Sequence, residues 1–117
     1  MNQRLRVMVV EDEPLIALDI EAELTDRGFD IAGPFGSVAD ALACVAGDDV
    51  SIAILDISLG RGGNSFDIAR ALAAKHIPFI FLSGDAQKRP EEFKTRTVLT
   101  KPIDYAQLDR SLKAAAG

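Results

Sequence analysis

The amino-acid sequence predicts a doubly wound α/β domain, in which helices cover both faces of a parallel sheet. Short apolar segments rich in β-branched residues alternate along the chain with segments of helical periodicity. These apolar segments show no alternation with polar residues, so both faces of each strand are expected to be buried, as in a parallel sheet. The length of 117 residues is enough for a single domain over 1–117 and leaves little room for a second.

The first strand is predicted at 5–10, where the sequence reads "LRVMVV". Pro14 suits the first position of the following helix. A backbone N–H at that position has no partner within the helix, so proline, which lacks an N–H, loses no hydrogen bond there. Apolar residues every four positions give that helix a stripe to bury, and Gly28 suits the residue just beyond its end. A second, weaker strand is predicted at 29–35, "FDIAGPF".

The middle of the chain continues the alternation. Ser37 is predicted to cap a second helix that runs to Ala46. The third strand is the apolar run at 51–56, "SIAILD", which ends in an aspartate. The glycine-rich loop at 60–64 then leads to a third helix that opens at Asn64 or Ser65.

Two further strands are predicted at 77–83 and 97–100, "IPFIFLS" and "TVLT". Between them, Pro90 fits the first position of a helix of only one or two turns. The final helix has a clear start signal, because Asp104 and Gln107 form a pair that resembles a capping box.

Composition narrows the class of protein. The net charge of −5 argues against a nucleic-acid-binding protein, since positive charge supplies much of that affinity. Cys44 is the only cysteine, so an internal disulfide is excluded and a small core residue is expected there. The sequence has no apolar run long enough to cross a membrane and no signal-peptide pattern, so we expect a cytoplasmic protein.

Chemically active side chains follow the predicted strands at their carboxyl ends, where doubly wound sheets bind ligands. Glu11 and Asp12 follow the first strand, Asp56 ends the third, Ser83 ends the fourth and Lys101 follows the fifth. Two carboxylates about 4 Å apart repel each other by about 4 kcal/mol at an effective dielectric of about 20. A divalent cation and the lysine ammonium would compensate for this repulsion, and Mg²⁺ is the ion that best suits carboxylate oxygens.

Each of these residues also has an ordinary structural explanation when it is considered alone. Asp12 or Glu13 could cap the helix that begins at Pro14, and Asp56 could cap the turn that follows it. A lysine such as Lys101 is usually solvated. The functional interpretation is favoured because all of these residues fall at one end of one predicted sheet.

The motifs "VVEDEP", "LDISLG", "FLSGD" and "LTKPI", in this order and spacing, resemble the receiver domain of bacterial two-component response regulators over essentially the whole chain. The resemblance implies a flavodoxin-like, five-stranded parallel sheet in the order 2-1-3-4-5, here with a shortened fourth helix. It also implies that Asp56 is a phosphoacceptor that takes a phosphoryl group from a histidine kinase or a histidine phosphotransfer protein.

The resemblance implies a metal site as well. Glu11 and Asp12 match the acidic pair that binds Mg²⁺ in the family, and Asp56 and the main-chain carbonyl of Ser58 match the further ligands. A domain of this kind is not expected to be an enzyme in the usual sense. It assists its own Mg²⁺-dependent phosphorylation and dephosphorylation.

Two more residues match the family's site. Ser83 matches the residue whose hydroxyl binds the phosphoryl group, and Lys101 matches the lysine that forms an ion pair with it. The Lys101–Pro102 peptide bond is expected to be cis, as is common in the family. His76, the only histidine, is predicted to end the third helix far from the site, and is expected to be structural or solvent-facing.

Two departures from the family pattern leave an alternative open. Val98 occupies a position where the family often has an aromatic residue that takes part in signalling, and the segment between Ser83 and Thr97 is short. The favoured prediction is a single-domain response regulator, similar to stand-alone receivers with a Phe-Ala-Thr-Gly-like motif, that signals by protein contact or acts as a phosphate sink. The alternative is a receiver-fold interaction module that is not phosphorylated.

A third class, an Mg²⁺-dependent phosphatase with an aspartate nucleophile, fits less well. Such enzymes typically have a second aspartate two residues after the first, where this chain has Ser58. The expected partners are therefore a phosphodonor protein and an unidentified downstream protein, with no nucleic acid and no membrane, and the chain is expected to be a monomer or a weak dimer.

Overall fold

Five parallel strands form one sheet in the order β2-β1-β3-β4-β5, which confirms the predicted order. The computed structural model describes residues 4–47, 49–60, 63–84 and 89–117. The strands are β1 (Arg6–Val10), β2 (Asp30–Phe35), β3 (Ile52–Asp56), β4 (Phe79–Ser83) and β5 (Val98–Thr100). The strands begin one or two residues later than the sequence predicted, and β4 begins only after Pro78, which has no N–H to donate to the sheet.

In the part of the chain that the structure describes, four α-helices connect and cover the strands. They are α1 (Pro14–Asp26), α2 (Val38–Gly47), α3 (Phe66–Ala74) and α4 (Tyr105–Ala116). The described residues between β4 and β5 contain only a 3₁₀ turn, Glu91–Phe93, as the prediction of a shortened helix implied. Pro90 was predicted at the first helical position but precedes it, because its extended ψ of 152° belongs to the residue that caps the turn.

The sheet divides the apolar core into two clusters, because successive residues of each strand point to opposite faces. Met8 and Val10 of β1 pack with residues of α2 and α3, whereas Val7 and Val9 pack with residues of α1 and α4. All residues of β3 and β4 are buried, including Asp56. The expectation of strands buried on both faces is therefore confirmed for β1, β3 and β4. It is wrong for the edge strands β2 and β5, which are partly exposed because each has a neighbouring strand on one side only.

The predicted helix signals have their expected geometry. Gly28 follows α1 with a φ of +93°, in the left-handed region that favours glycine. The Ser37 hydroxyl accepts a hydrogen bond of 3.2 Å from the backbone N–H of Asp40, and the Asp104 carboxylate accepts one of 3.1 Å from the N–H of Gln107. These caps fix where α2 and α4 begin, and hence where the loops before them must end.

Residues that were expected to be structural lie away from the carboxyl ends of the strands. His76 is exposed just beyond α3, with a φ of 59°. Cys44 of α2 is half-buried against the core, and burial raises the pKa of its thiol. Within the described residues, no helix has both the length and the apolar character needed to cross a membrane.

Candidate functional site

Three carboxylates meet at the carboxyl ends of β1 and β3. These strands are neighbours, with Val10 beside Leu55, so the residues that follow in each strand emerge side by side. Glu11, Asp12 and Asp56 each place a carboxylate oxygen within 4.8 Å of those of the other two. The structure therefore brings together the three acidic side chains that the sequence assigned to the site.

Lys101 joins this group from β5, at the far side of β4. Its ammonium donates a 2.9 Å hydrogen bond to Glu11 Oε1 and lies 3.4 Å from Asp56 Oδ2. The predicted cis Lys101–Pro102 peptide bond is confirmed. The backbone N–H of Lys101 donates to the carbonyl of Ser83 at 2.8 Å, so the lysine continues directly from the β4–β5 pairing.

Glu11 is held in place by hydrogen bonds of both its backbone and its side chain. Its backbone N–H donates to the carbonyl of Phe35 at 2.9 Å, while Oε2 accepts from the N–H of Glu13 at 3.2 Å. Glu13 occupies the cap position of α1 but makes no capping bond with its side chain. Glu13 is therefore confirmed as the N-cap residue by position, but its side chain does not cap the helix. The Glu11 carboxylate instead accepts the N–H of Glu13 itself.

Burial differs among the three acids and changes their electrostatics. Glu11 and Asp56 are only 3% and 6% exposed, whereas Asp12 is exposed to solvent. Burial, together with the hydrogen bond and negative charge of Glu11, raises the pKa of Asp56 to about 7, although Lys101 opposes the shift. Burial alone would lower the pKa of Lys101, but its hydrogen bond to Glu11 and the charges of both acids raise it.

The donor set fits a hard divalent cation. All three side chains offer carboxylate oxygens, which Mg²⁺ prefers. Among the described residues, the Lys101 ammonium faces two buried acids, so these groups together keep an excess of negative charge when the carboxyl groups are ionised. Because Asp12 is open to solvent, bound water could complete the coordination of an ion there.

The two remaining predicted residues lie next to the acids. Ser58 follows Asp56 by two residues, is exposed, and pairs with Asn64 in an isolated antiparallel bridge that folds the loop back on itself. Ser83 is 1% exposed at the end of β4, one residue beyond the position level with Asp56. A metal-binding role for the Ser58 carbonyl and a phosphoryl-binding role for Ser83 remain predictions.

Two features of the site's surroundings were not anticipated from the sequence. Gly60 approaches the Asp12 carboxylate closely, and only its place in a glycine-rich loop after Asp56 hinted at a spatial constraint. Val98 is half-buried beside Phe81, and an aromatic cluster lies on the same side of the sheet. That aromatic cluster consists of Phe66, Phe79, Phe81 and Phe93, with ring centroids 5.4–6.1 Å apart.

Comparisons with known proteins agree with this geometry. A family model described as the response regulator receiver domain matches residues 7–113. The chain is 27% identical over 115 residues to the transcriptional regulatory protein PdtaR of Mycobacterium tuberculosis, and the alignment covers 94% of this chain and 56% of that protein. The chain thus spans about half the length of this curated relative.

Two solved structures share the architecture. The solution structure of SdrG from Sphingomonas melonis Fr1 has a TM-score of 0.85 and 36% identity, with 100% of both chains covered. The receiver domain of the sensor histidine kinase PA1611 from Pseudomonas aeruginosa has a TM-score of 0.84, with 98% of this chain and 99% of that chain covered. Its identity of 22% supports a shared fold alone. The family match over most of the chain, together with the sheet order, shows that the chain belongs to the response regulator receiver domain family.

Proposed function

We propose that this chain is a response regulator whose Asp56 accepts a phosphoryl group from a phosphohistidine. The observation that carries the proposal is the meeting of Glu11, Asp12 and Asp56 with the ammonium of Lys101 at one edge of the sheet. The donor would be a histidine kinase or a histidine phosphotransfer protein. The chain would act as a phosphoacceptor that assists its own reaction rather than as an enzyme in the usual sense.

The transfer would be a displacement at phosphorus. A carboxylate oxygen of Asp56 attacks the phosphorus, a P–O bond forms as the P–N bond to the histidine breaks, and the released imidazole nitrogen takes up a proton. The product is an acyl phosphate, as in aspartyl-phosphate enzymes. Only the ionised form of Asp56 is a good nucleophile. Its raised pKa therefore lowers the fraction of metal-free protein that can react at neutral pH.

The remaining residues would position and neutralise the transferred group. Lys101 already lies 3.4 Å from Asp56 and could bind a phosphoryl oxygen with little movement. Ser83 is proposed to donate its hydroxyl to another oxygen. Mg²⁺ bound by Glu11, Asp12 and Asp56 would neutralise the charge that develops on the phosphoryl oxygens. The PA1611 receiver domain, which has a magnesium ion coordinated in its active site cleft, supports the choice of ion.

A partner protein is supported by the surface beside the site. Leu15 and Leu18 of α1 are 78% and 61% exposed, so they offer apolar surface that a partner protein could cover. Leu15 also lines a cavity of about 430 Å³, together with residues of the β5–α4 loop that include Lys101 and Ile103. We propose that the chain signals from the cytoplasm as a single-domain regulator, by phosphorylation-dependent protein contact or as a phosphate sink.

The proposal is tested by phosphorylation with a small acyl-phosphate donor in the presence of Mg²⁺. Intact mass should show one added phosphoryl group on the wild type and on Asp26→Asn, a control that changes an exposed aspartate at the end of α1. Asp56→Asn should not be modified. Equal modification of Asp56→Asn and the wild type, or no modification of any of the three proteins, would refute the assignment.

An interaction module that needs no phosphorylation is a second candidate, favoured by Val98 and by the 3₁₀ turn between β4 and β5. The two functions differ in how binding depends on the state of Asp56. Affinity capture with and without beryllofluoride and Mg²⁺ distinguishes them, because an unregulated module retains the same partners under both conditions. A phosphorylation-dependent regulator gains or loses partners, and Asp56→Asn abolishes that difference.

A further inference from the structure

Two glycines from different loops lie close to Asp12. Gly36 lies in the connection between β2 and α2, and a Cβ atom at that position would lie 3.7 Å from Asp12 Cα, an ordinary contact. Gly60 lies in the loop after β3, and a Cβ atom there would lie 3.0 Å from Asp12 Oδ2. Of these two, only Gly60 approaches the carboxylate so closely that an added methyl group would displace it.

The flexible part of this contact is the Asp12 carboxylate. The backbone of Asp12 lies between the end of β1 and the start of α1, and its neighbour Glu11 is tied to Phe35 and to Glu13. A methyl group at position 60 would therefore be accommodated by movement of the Asp12 oxygen by a few tenths of an ångström. Such a shift is small for folding but large for Mg²⁺, which requires near-ideal octahedral geometry at about 2.0–2.1 Å.

Backbone conformation alone also favours glycine at this position, and the two explanations must be separated. Gly60 has a φ of +57°, and its carbonyl accepts a 3.2 Å hydrogen bond from Gly63 within the loop. Gly63 has a φ of +87°, and none of the described residues has an atom within 4 Å of a Cβ atom added there. Gly63 thus shares the left-handed backbone and the loop of Gly60 without its contact to Asp12, and it is a matched control.

We propose that Gly60 is a positioning residue of the metal site. Its lack of a side chain allows the loop to approach Asp12 while leaving the carboxylate free to point toward Glu11 and Asp56. This inference rests on the proposed function and specifies one determinant of its Mg²⁺ affinity that is not itself a ligand.

The test compares Gly60→Ala with Gly63→Ala by Mg²⁺ titration calorimetry and by urea denaturation in EDTA. Both variants should lose similar stability without metal, because both place a side chain at positive φ. Only Gly60→Ala should weaken Mg²⁺ binding, by about 10-fold, which is the lower end of the effect of residues that orient metal ligands. Gly36→Ala should bind Mg²⁺ as the wild type does.

A second variant keeps the test decisive if Gly60→Ala does not fold. Asparagine tolerates the left-handed region better than alanine, so Gly60→Asn retains the backbone while it still adds a Cβ atom beside Asp12. Its Mg²⁺ affinity should be reduced as well. Gly60 variants that bind Mg²⁺ as tightly as Gly63→Ala would overturn this inference alone. A wild type that binds no Mg²⁺ would overturn both this inference and the metal site of the proposed function.

Discussion

Replacing Asp56 with asparagine should stabilise the metal-free protein at neutral and alkaline pH. In the wild type, two buried acids, Asp56 and Glu11, share the ammonium of Lys101. Asparagine has nearly the same shape as aspartate. Its amide can donate to the Glu11 carboxylate while its oxygen accepts from Lys101, so the substitution removes the repulsion and leaves both partners satisfied.

The magnitude follows from the pKa of Asp56, which is raised from 3.8 to about 7. A difference of about three pKa units corresponds to about 4 kcal/mol, at 1.36 kcal/mol per unit. The site is open to water beside Asp12, so solvent screening reduces this value by about half. We expect Asp56→Asn to increase the free energy of unfolding by about 2 kcal/mol at pH 8 in EDTA.

The gain should depend on pH in one direction. The pKa of Asp56 is higher in the folded state than in the unfolded state. Between about pH 4 and pH 7, the folded protein therefore keeps a proton on Asp56 that the unfolded chain has already lost. The free energy of unfolding of the wild type should therefore decrease, relative to that of the variant, as pH rises through this range. The difference should be small near pH 4 and constant above about pH 7.

Urea denaturation followed by circular dichroism at several pH values measures this difference. Asp26→Asn, which changes an exposed aspartate at the end of α1, controls for the loss of one negative charge and should change stability by less than about 0.5 kcal/mol. A wild type as stable as Asp56→Asn at pH 8, or a gain that does not vary with pH, would show that the electrostatic reasoning is wrong.

Three further predictions concern the metal site, the aromatic cluster and the end of α3. The Mg²⁺ affinity of the wild type should increase about 10-fold per pH unit below about pH 7 and level off above it, since Asp56 must lose its proton to bind metal; a pH-independent affinity by calorimetry would contradict this. Phe93→Ala should lower the free energy of unfolding by about 3 kcal/mol, because Phe93 is buried in the aromatic cluster. The control Glu92→Gln, which removes an exposed ion pair with Arg70, should lower it by less than about 1 kcal/mol. Equal losses in urea denaturation would argue against the packing role of Phe93. His76→Gly should raise the free energy of unfolding by about 1 kcal/mol, because His76 has a left-handed φ of 59° just beyond α3, and an unchanged midpoint would refute this.

Much of the fold and the arrangement of the site could be predicted because the signals are local and repeat along the chain. Apolar runs mark each strand, and β3 ends in an acid. This acid indicates a site because ligands bind at the carboxyl edge of a parallel sheet. Once β1 and β3 are neighbours, Glu11 and Asp56 must converge. The sequence pattern alone therefore predicts the meeting of the three acids and Lys101, whereas the phosphoryl-binding role of Ser83 stays a prediction.

Other features depend on contacts between distant segments, which the sequence does not encode locally. The approach of Gly60 to Asp12 requires the loop after β3 to fold toward the end of β1. A glycine-rich sequence allows many loop conformations and does not predict this one. The burial of Phe93 depends on contacts with aromatic rings of α3 and β4. Because Phe93 stands alone in a charged segment, the local sequence does not indicate that it is buried. The raised pKa of Asp56 likewise results from the burial of the whole cluster.

The 3₁₀ turn between β4 and β5 is anchored to the core through one side chain. Phe93 is buried, while the two glutamates before it, Glu91 and Glu92, are exposed. Substitutions at the exposed positions can therefore alter the charge of this surface while the sheet and the acidic site keep their geometry. Single substitutions can therefore diversify this surface in charge and shape, while the strands keep the carboxylates and Lys101 in the same arrangement.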